Sequence, residues 1–274
     1  MMRRFISHRS ALLGAIIVTL FVLVAILGER ITPYAFDVID LPSARQPPSL
    51  SHWLGTDALG RDLLTRVIVG ARISLLTSLT AVLTALVVGT ALGVLAAFGA
   101  KAVDSVIMRF MDLLLALPGL LLAIFAVSIL GFGLPQLTAA IAIYSVPTFA
   151  RLARGSAMVV RERDFIQASR ALGASMPRML IRHVVPNITS PLLTMASLRL
   201  ATANLSIASL GFLGLGAQPP TPEWGLMIAA GRAHLISSPH IPLAPGVALL
   251  IVVLGFNLLG DGLRDLSDPR SRNR

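Results

Sequence analysis

Cysteine is absent from this 274-residue chain, which excludes disulfides, thiolate metal sites and cysteine nucleophiles. Charge is scarce as well. Charged residues make up 13% of the sequence, against about 25% in soluble domains. Lysine is reduced to Lys101, in Gly99-Ala100-Lys101-Ala102, which is no phosphate-binding loop, so any ATP must be bound by another polypeptide. No serine or histidine stands in a nucleophile motif, and His52, His234 and His240 match no metal-ligand spacing. These absences speak against an enzyme and against a resident metal or cofactor.

What fills the chain is apolar sequence, 55% of all residues. A lipid environment leaves backbone polar groups no partner but the helix itself, so apolar runs of about 20 residues read as membrane-spanning helices. Residues 10–28, 73–100, 191–213 and 241–260 form such runs. Residues 113–150 are uncharged throughout, too long for one span, and Gly131-Phe132-Gly133-Leu134-Pro135 divides them. The expectation is an all-α polytopic membrane protein with six transmembrane helices. Arg3, Arg4 and Arg9 ahead of the first run resemble a secretion signal, but no small-x-small site follows before Glu29-Arg30. The run is therefore read as a retained first span.

The net charge of +10 bears on orientation rather than on nucleic acid, because no soluble domain exists to bind one. Six spans place both termini on one side. With the N-terminus inside, the inner segments hold Arg3, Arg4, Arg9, Lys101, Arg109, seven Arg between 151 and 182, and the four Arg of the tail. The outer segments hold only Arg30, Arg45, Arg61, Arg66, Arg72 and Arg232, matched by as many acids. That bias predicts cytoplasmic termini. Within the outer segment, Leu59, Leu63, Leu64, Val67 and Ile68 oppose Asp57, Arg61 and Asp62, the pattern of a short amphipathic helix lying on the membrane or against the spans.

The inner segment at about 151–190 is long for a connection. Asp164-Phe165-Ile166-Gln167 fits a capping box opening a helix to Leu172, and Gly173 offers the left-handed position that ends one. Ser175 and Pro177 suit the start of a second helix, Met179, Leu180, His183 and Val184 give it an apolar side, and Pro186 is expected to end it. The segment thus reads as two short helices around a glycine bend, exposing Arg161, Arg163, Arg170, Arg178 and Arg182: a docking knob for a cytoplasmic partner. Gly89-x3-Gly93 predicts close helix packing.

These residues carry a resemblance. Gln167-Ala168-Ser169-x3-Gly173 followed by His183-Val184-Val185-Pro186-Asn187 is similar to the EAA loop of ABC importer permeases. Three further motifs resemble the dipeptide, oligopeptide and nickel branch of that family: Leu54-Gly55-Thr56-Asp57-x2-Gly60-Arg61-Asp62; Leu213-Gly214-Leu215-Gly216-x-Gln218-Pro219-Pro220-x-Pro222-Glu223-Trp224-Gly225; and Phe256-Asn257-Leu258-Leu259-Gly260-Asp261-Gly262-Leu263-Arg264-Asp265, ending in Asp268-Pro269-Arg270.

The resemblance implies a type I ABC importer permease fold. Residues 1–72 would hold the N-terminal tail, first span and periplasmic loop, and 73–274 a five-helix core with the coupling loop. The implied role is half of a translocation pathway in the bacterial inner membrane, with a homologous second permease subunit, two cytoplasmic ATPase subunits that bind the ATP, and a periplasmic or lipid-anchored substrate-binding protein. Di- or oligopeptides are the expected cargo, with nickel or another small solute as the alternative within the branch. Asp164, Gln167, Ala168, Arg170, Leu172, Gly173, Ala174, Pro186 and Asn187 would form the ATPase-docking site. Three positions depart from the family pattern: Gln167 stands where Glu is usual, Ile207 where an acid is common, and His240 where this branch often has Trp.

Arg199 is the other residue of note. A charge within a span costs about 2.5–3.5 kcal/mol on insertion scales, so it should face a cavity or a partner. Two readings follow: a pathway-lining cation that meets a substrate carboxylate and, favoured over it, snorkelling to the inner surface or a pair with an acid such as Asp112. An ion-driven secondary transporter would need several ionisable residues paired deep in the spans, and beyond Arg199 only Asp112 and Asp261, at span margins, are candidates.

Overall fold

The computed structural model describes residues 9–267. Arg3, Arg4, the Asp268-Pro269-Arg270 motif and the tail beyond it lie outside the described residues. Those described are almost entirely helical, and the only β pairing among them is an isolated bridge between Thr56 and Asp62. In chain order the helices are α1 (Arg9–Ile31), α2 (Leu63–Phe98), α3 (Lys101–Ala116), α4 (Gly119–Leu130), α5 (Leu134–Arg161), α6 (Asp164–Ala171), α7 (Met176–Met179), α8 (Val185–Phe212), α9 (Trp224–Gly231) and α10 (His240–Ser267).

Three helices are long and apolar enough to cross a membrane: α1, α2 and α10. The α3–α4 pair would make a fourth crossing, bent by 97° at its junction. Helices α5 and α8, at 28 residues or about 42 Å each, have the length but carry more polar groups, Gln136, Tyr144, Arg151 and Arg154 on the first and Arg199 and Asn204 on the second. Length and apolarity alone therefore identify up to four of the six expected spans.

Two boundaries differ from the sequence reading. The amphipathic stretch around Leu63–Ile68 is no separate surface helix. It forms the first turns of α2, which starts ten residues before the apolar run because the Asp62 carboxylate accepts from the Thr65 N–H at 2.8 Å and nucleates the helix there. The apolar run 113–150 breaks twice rather than once. Besides Gly131, Leu117 is extended (φ −92°, ψ 139°), as a residue preceding proline tends to be, and Pro118 opens α4 in a new direction.

The bundle centres on α2, which packs most extensively against α5. Alanines carry much of the contact: Ala81, Ala85, Ala140, Ala150, Ala153 and Ala157 are wholly buried, which lets backbones approach closely. Gly89 and Gly93 take this furthest. A β-carbon at Gly89 would lie 2.6 Å from Phe149 Cβ, and one at Gly93 2.8 Å from Ala153 Cβ, so α2 and α5 are in backbone-level contact. A second apolar cluster gathers α2, α8, α9 and α10 around Trp224 and Phe256, with Phe21 of α1 packed against it. The ends of the bundle differ. At one, α6 and α7 project beyond α5 and α8. At the other, segment 32–62 and the α8–α9 connection fold over α2.

Candidate coupling site and polar seam

The projecting loop is shorter than the sequence reading. Helix α5 continues to Arg161, so 151–161 is helix rather than loop. Asp164 does not cap α6. Arg163 occupies the cap position in extended conformation (φ −75°, ψ 143°), Asp164 is the first helical residue, and no side chain caps the helix. The carboxylate still lies in the first turn, where the helix dipole favours negative charge. Gln167 does not close a capping box either; its amide nitrogen approaches the Glu162 carbonyl at 3.5 Å. Ser175 holds the cap position of α7 without a side-chain hydrogen bond, with Pro177 in the first turn.

The bend is as expected. Gly173 has φ +77°, and its N–H donates to the Arg170 carbonyl at 3.0 Å while the Ala174 N–H donates to Ser169 at 3.1 Å. Those paired bonds are the Schellman arrangement, which saturates the last carbonyls of α6. Pro186 does not end the second helix. From Met176 the chain runs through α7, one wide turn at Leu180–Val184 and straight into α8. The Val185 N–H reaches back five residues to Leu180. Proline has no N–H, so the wider turn absorbs the missing α-helical bond, and the Asn187 side chain donates to the His183 carbonyl at 2.6 Å.

Three apolar side chains hold this unit to the bundle: Ile166, Met179 and Val184, each at most 2% exposed. At about 1.5–3 kcal/mol per buried side chain, they anchor the loop to the fold. Most of the rest faces outward. Asp164, Gln167, Ala168, Arg170, Gly173, Pro186 and Asn187 are exposed, and Ala174 is half-buried. Leu172, at the tip, is 88% exposed. The Gly173 bend thus holds a large leucine out in the open, with the exposed Gln167 and Arg170 just before it in the chain.

Above the loop, α5 and α8 share a polar seam. The guanidinium of Arg199, half-buried, donates to the Thr148 hydroxyl, and Tyr144 and Ser206 share a hydroxyl hydrogen bond of 2.9 Å. Because α8 begins at Val185, Arg199 lies about 21 Å along a 42 Å helix, at its middle. Asp112 is not its partner; it pairs with Arg151. Among the described residues no carboxylate pairs with Arg199. Arg154 grips Asp104 with two bonds of 2.5 and 2.6 Å, so two ion pairs that the sequence did not reveal tie α3 to α5.

At the far end the bonds are internal. Asp57 accepts from the Leu59 and Arg61 N–H groups and from Arg61 Nε at 2.7 Å, His52 Nδ1 lies 2.9 Å from Asp62, and Arg66 donates to the Phe36 carbonyl. Glu223, fully buried, caps α9 by accepting from the Gly225 and Leu226 N–H groups at 2.8 and 2.9 Å. Burial pushes its carboxyl above the ordinary range, a shift that the two N–H donors oppose. Among the described residues no cluster of three His, Asp or Glu could hold a metal ion.

A family model described as the binding-protein-dependent transport system inner membrane component matches residues 89–273. The chain belongs to that family. A second model, the N-terminal TM domain of oligopeptide transport permease C, matches residues 1–48. The permease is 41% identical over 272 residues to the glutathione transport system permease protein GsiD of Pectobacterium atrosepticum, covering 99% of this chain and 90% of the relative. It is 46% identical over 269 residues to the protein of that name from Escherichia coli O157:H7, covering 98% and 89%. An inward-facing structure of the MetNI methionine ABC transporter shares the fold, with a TM-score of 0.59 at 19% identity, over 74% of this chain and 97% of that one. The permease is thus a transporter subunit, of the branch that the sequence motifs resemble, and not an enzyme.

Proposed function

We propose that this permease forms half of the translocation pathway of an ATP-driven importer of short peptides, glutathione among them, in the bacterial inner membrane. In this reading α1, α2, α3–α4, α5, α8 and α10 are six passes, and the arginine bias supports a cytoplasmic side for both termini and the α6–α7 loop. A homologous permease completes the pathway, a binding protein delivers cargo from the other side, and two ATPase subunits supply the ATP site that this chain lacks.

The observation that carries this reading is continuity. The exposed Leu172 tip is joined through α7 and the wide turn to α8, and α8 carries Arg199 at mid-length. A push on the α6–Gly173 knob by a closing ATPase dimer moves the same helix that holds the half-buried Arg199. Arg199, held only by a neutral hydroxyl, is free to take a peptide carboxylate as its counter-charge. The test is purification of the intact complex from membranes, followed by peptide uptake in proteoliposomes. ATPase subunits and ATP-dependent uptake are expected. A complex without ATPase, or uptake driven by an ion gradient alone, overturns the reading. Arg199→Ala should raise the half-saturating concentration for carboxylate-bearing peptides, and unchanged affinity and rate would remove Arg199 from the pathway.

A further inference from the structure

Helix α5 carries an open polar stripe. Tyr144, Thr148, Arg151 and Gly155 follow at intervals of four, three and four residues, so they share one face, and none of them is buried. Pro147, Phe149, Ala150 and Ala153, between them in the chain, are buried. Beside Gly155 the space is open, with no atom within 4 Å of where a β-carbon would stand. Helix α8 meets the stripe at two points, Arg199 on Thr148 and Ser206 on Tyr144, and helix α3 meets it at a third, Asp112 on Arg151.

The stripe lies at membrane depth. A β-carbon on Gly93 of α2 would stand 2.3 Å from the Ala150 carbonyl oxygen and 2.8 Å from the Arg154 nitrogen, so Arg151 is level with Gly93. Gly93 is about 10 Å inside the end of the uncharged run 73–100. Yet the side chains of Arg151 and Asp112 are 52% and 55% exposed. Charges open at such depth face water-filled space or another polypeptide, not lipid. Helix interfaces in a membrane pack closely through small residues, whereas this stripe presents a tyrosine and open charges, as the lining of a watered pathway does.

The two ion pairs between α3 and α5 are not alike. Arg154 engages both carboxylate oxygens of Asp104, which closes that pair. Arg151 engages Asp112 through Oδ1, and among the described residues no hydrogen bond reaches Oδ2. That oxygen is an open acceptor of the kind a primary ammonium satisfies. Arg199 is anchored one turn away on the same stripe, about 4.5 Å along α5. The ends of an extended di- or tripeptide lie about 7–11 Å apart, long enough for one short peptide to bridge the two charges.

We propose that Asp112 is a cargo contact in the pathway. Its Oδ2 accepts from the α-ammonium of a peptide whose carboxylate meets Arg199, while Arg151 holds the Asp112 side chain in place. The contact rests on the importer reading above and adds the direction of the cargo, with its amino end toward α3.

The test is ATP-dependent glutathione uptake by the assembled complex in proteoliposomes, beside a thermal-unfolding curve for each variant. Asp112→Asn keeps an acceptor for Arg151 and loses the charge. It should lower uptake at subsaturating glutathione about tenfold without moving the unfolding curve. Asp112→Glu should restore most of the rate. Exchanging the charges, Asp112→Arg with Arg151→Asp, keeps an ion pair but moves the carboxylate from α3 to α5, and uptake should stay low. Uptake restored by the exchange makes the pair a structural tie and overturns the proposal, as does an unchanged rate in Asp112→Asn. The Asn and Glu variants decide if the exchanged permease does not assemble. Gly155→Cys, a lone thiol in this chain, should react with a membrane-impermeant maleimide in the ATP-free complex. No labelling there places the stripe against lipid or the partner permease and overturns the contact too. A wild-type complex without glutathione uptake removes the importer reading and the contact with it, whereas wild-type uptake with an unaffected Asp112→Asn removes the contact alone.

Discussion

The two ends of the bundle are built on opposite plans. The α6–α7 segment is held mainly by apolar side chains, Ile166, Met179 and Val184 foremost, and turns most of its charged groups outward. The opposite end buries its polar groups and ties them to each other: Asp57, Asp62, Arg66 and Glu223 are each no more than 7% exposed. One end leaves its hydrogen-bonding groups exposed, and the other consumes them in holding the 32–62 segment over α2. A residue of the loop end should therefore matter for transport and little for stability, and the reverse should hold at the other end.

The largest effect expected is at the tip. Leu172→Asp should lower peptide uptake by more than tenfold, the equivalent of about 1.4 kcal/mol of lost docking energy, with unchanged thermal stability of the permease. Uptake assays beside a thermal-unfolding curve check both halves, and a loss of stability would break the contrast. Next comes Glu223→Ala, which leaves two buried N–H groups without an acceptor and should destabilise the permease by about 2 kcal/mol. Residual folded transporter should keep its ATP coupling. Gly173→Ala should cost about 1–2 kcal/mol locally, because φ +77° is strained for a residue with a β-carbon. No atom lies near enough to add a clash, so Gly173→Asn should cost less. Hydrogen exchange at 169–175 reads this directly.

The smallest effect is on pH. Burial holds the Glu223 carboxyl above its ordinary value of 4.5, so the folded state binds its proton more tightly than the unfolded state does. Its contribution is therefore most favourable below the unfolded value, declines as pH rises from there to the folded value, and is flat beyond. Glu223→Gln should remove that slope, measured as the difference between the two unfolding free energies across pH.

The same contrast explains what was legible in the sequence. The Gly173 bend, the Gly89–Gly93 contact and the apolar side of Met179 and Val184 are written within a turn or two of chain, so local rules find them. The capping box at Asp164 failed because Arg163 takes the extended cap position, one residue earlier than the side-chain chemistry suggests. Pro186 misled because a wide turn can absorb a missing N–H without ending a helix. The break at Leu117-Pro118 was readable from proline's effect on its predecessor, but the stronger glycine signal at 131–133 overshadowed it. The Arg154–Asp104 pair, 50 residues apart, and the Trp224 indole bond to Val67, 157 apart, have no local signature.

Docking of an ATPase on the α6–Gly173–α7 knob is open to a direct test because the sequence holds no cysteine. Leu172→Cys creates a single thiol in this permease, and maleimide labelling reports its exposure. Labelling should be rapid in the permease freed of its ATPase subunits, strongly suppressed in the assembled complex, and rapid again once the ATPase is stripped away. Equal labelling in both states would contradict it.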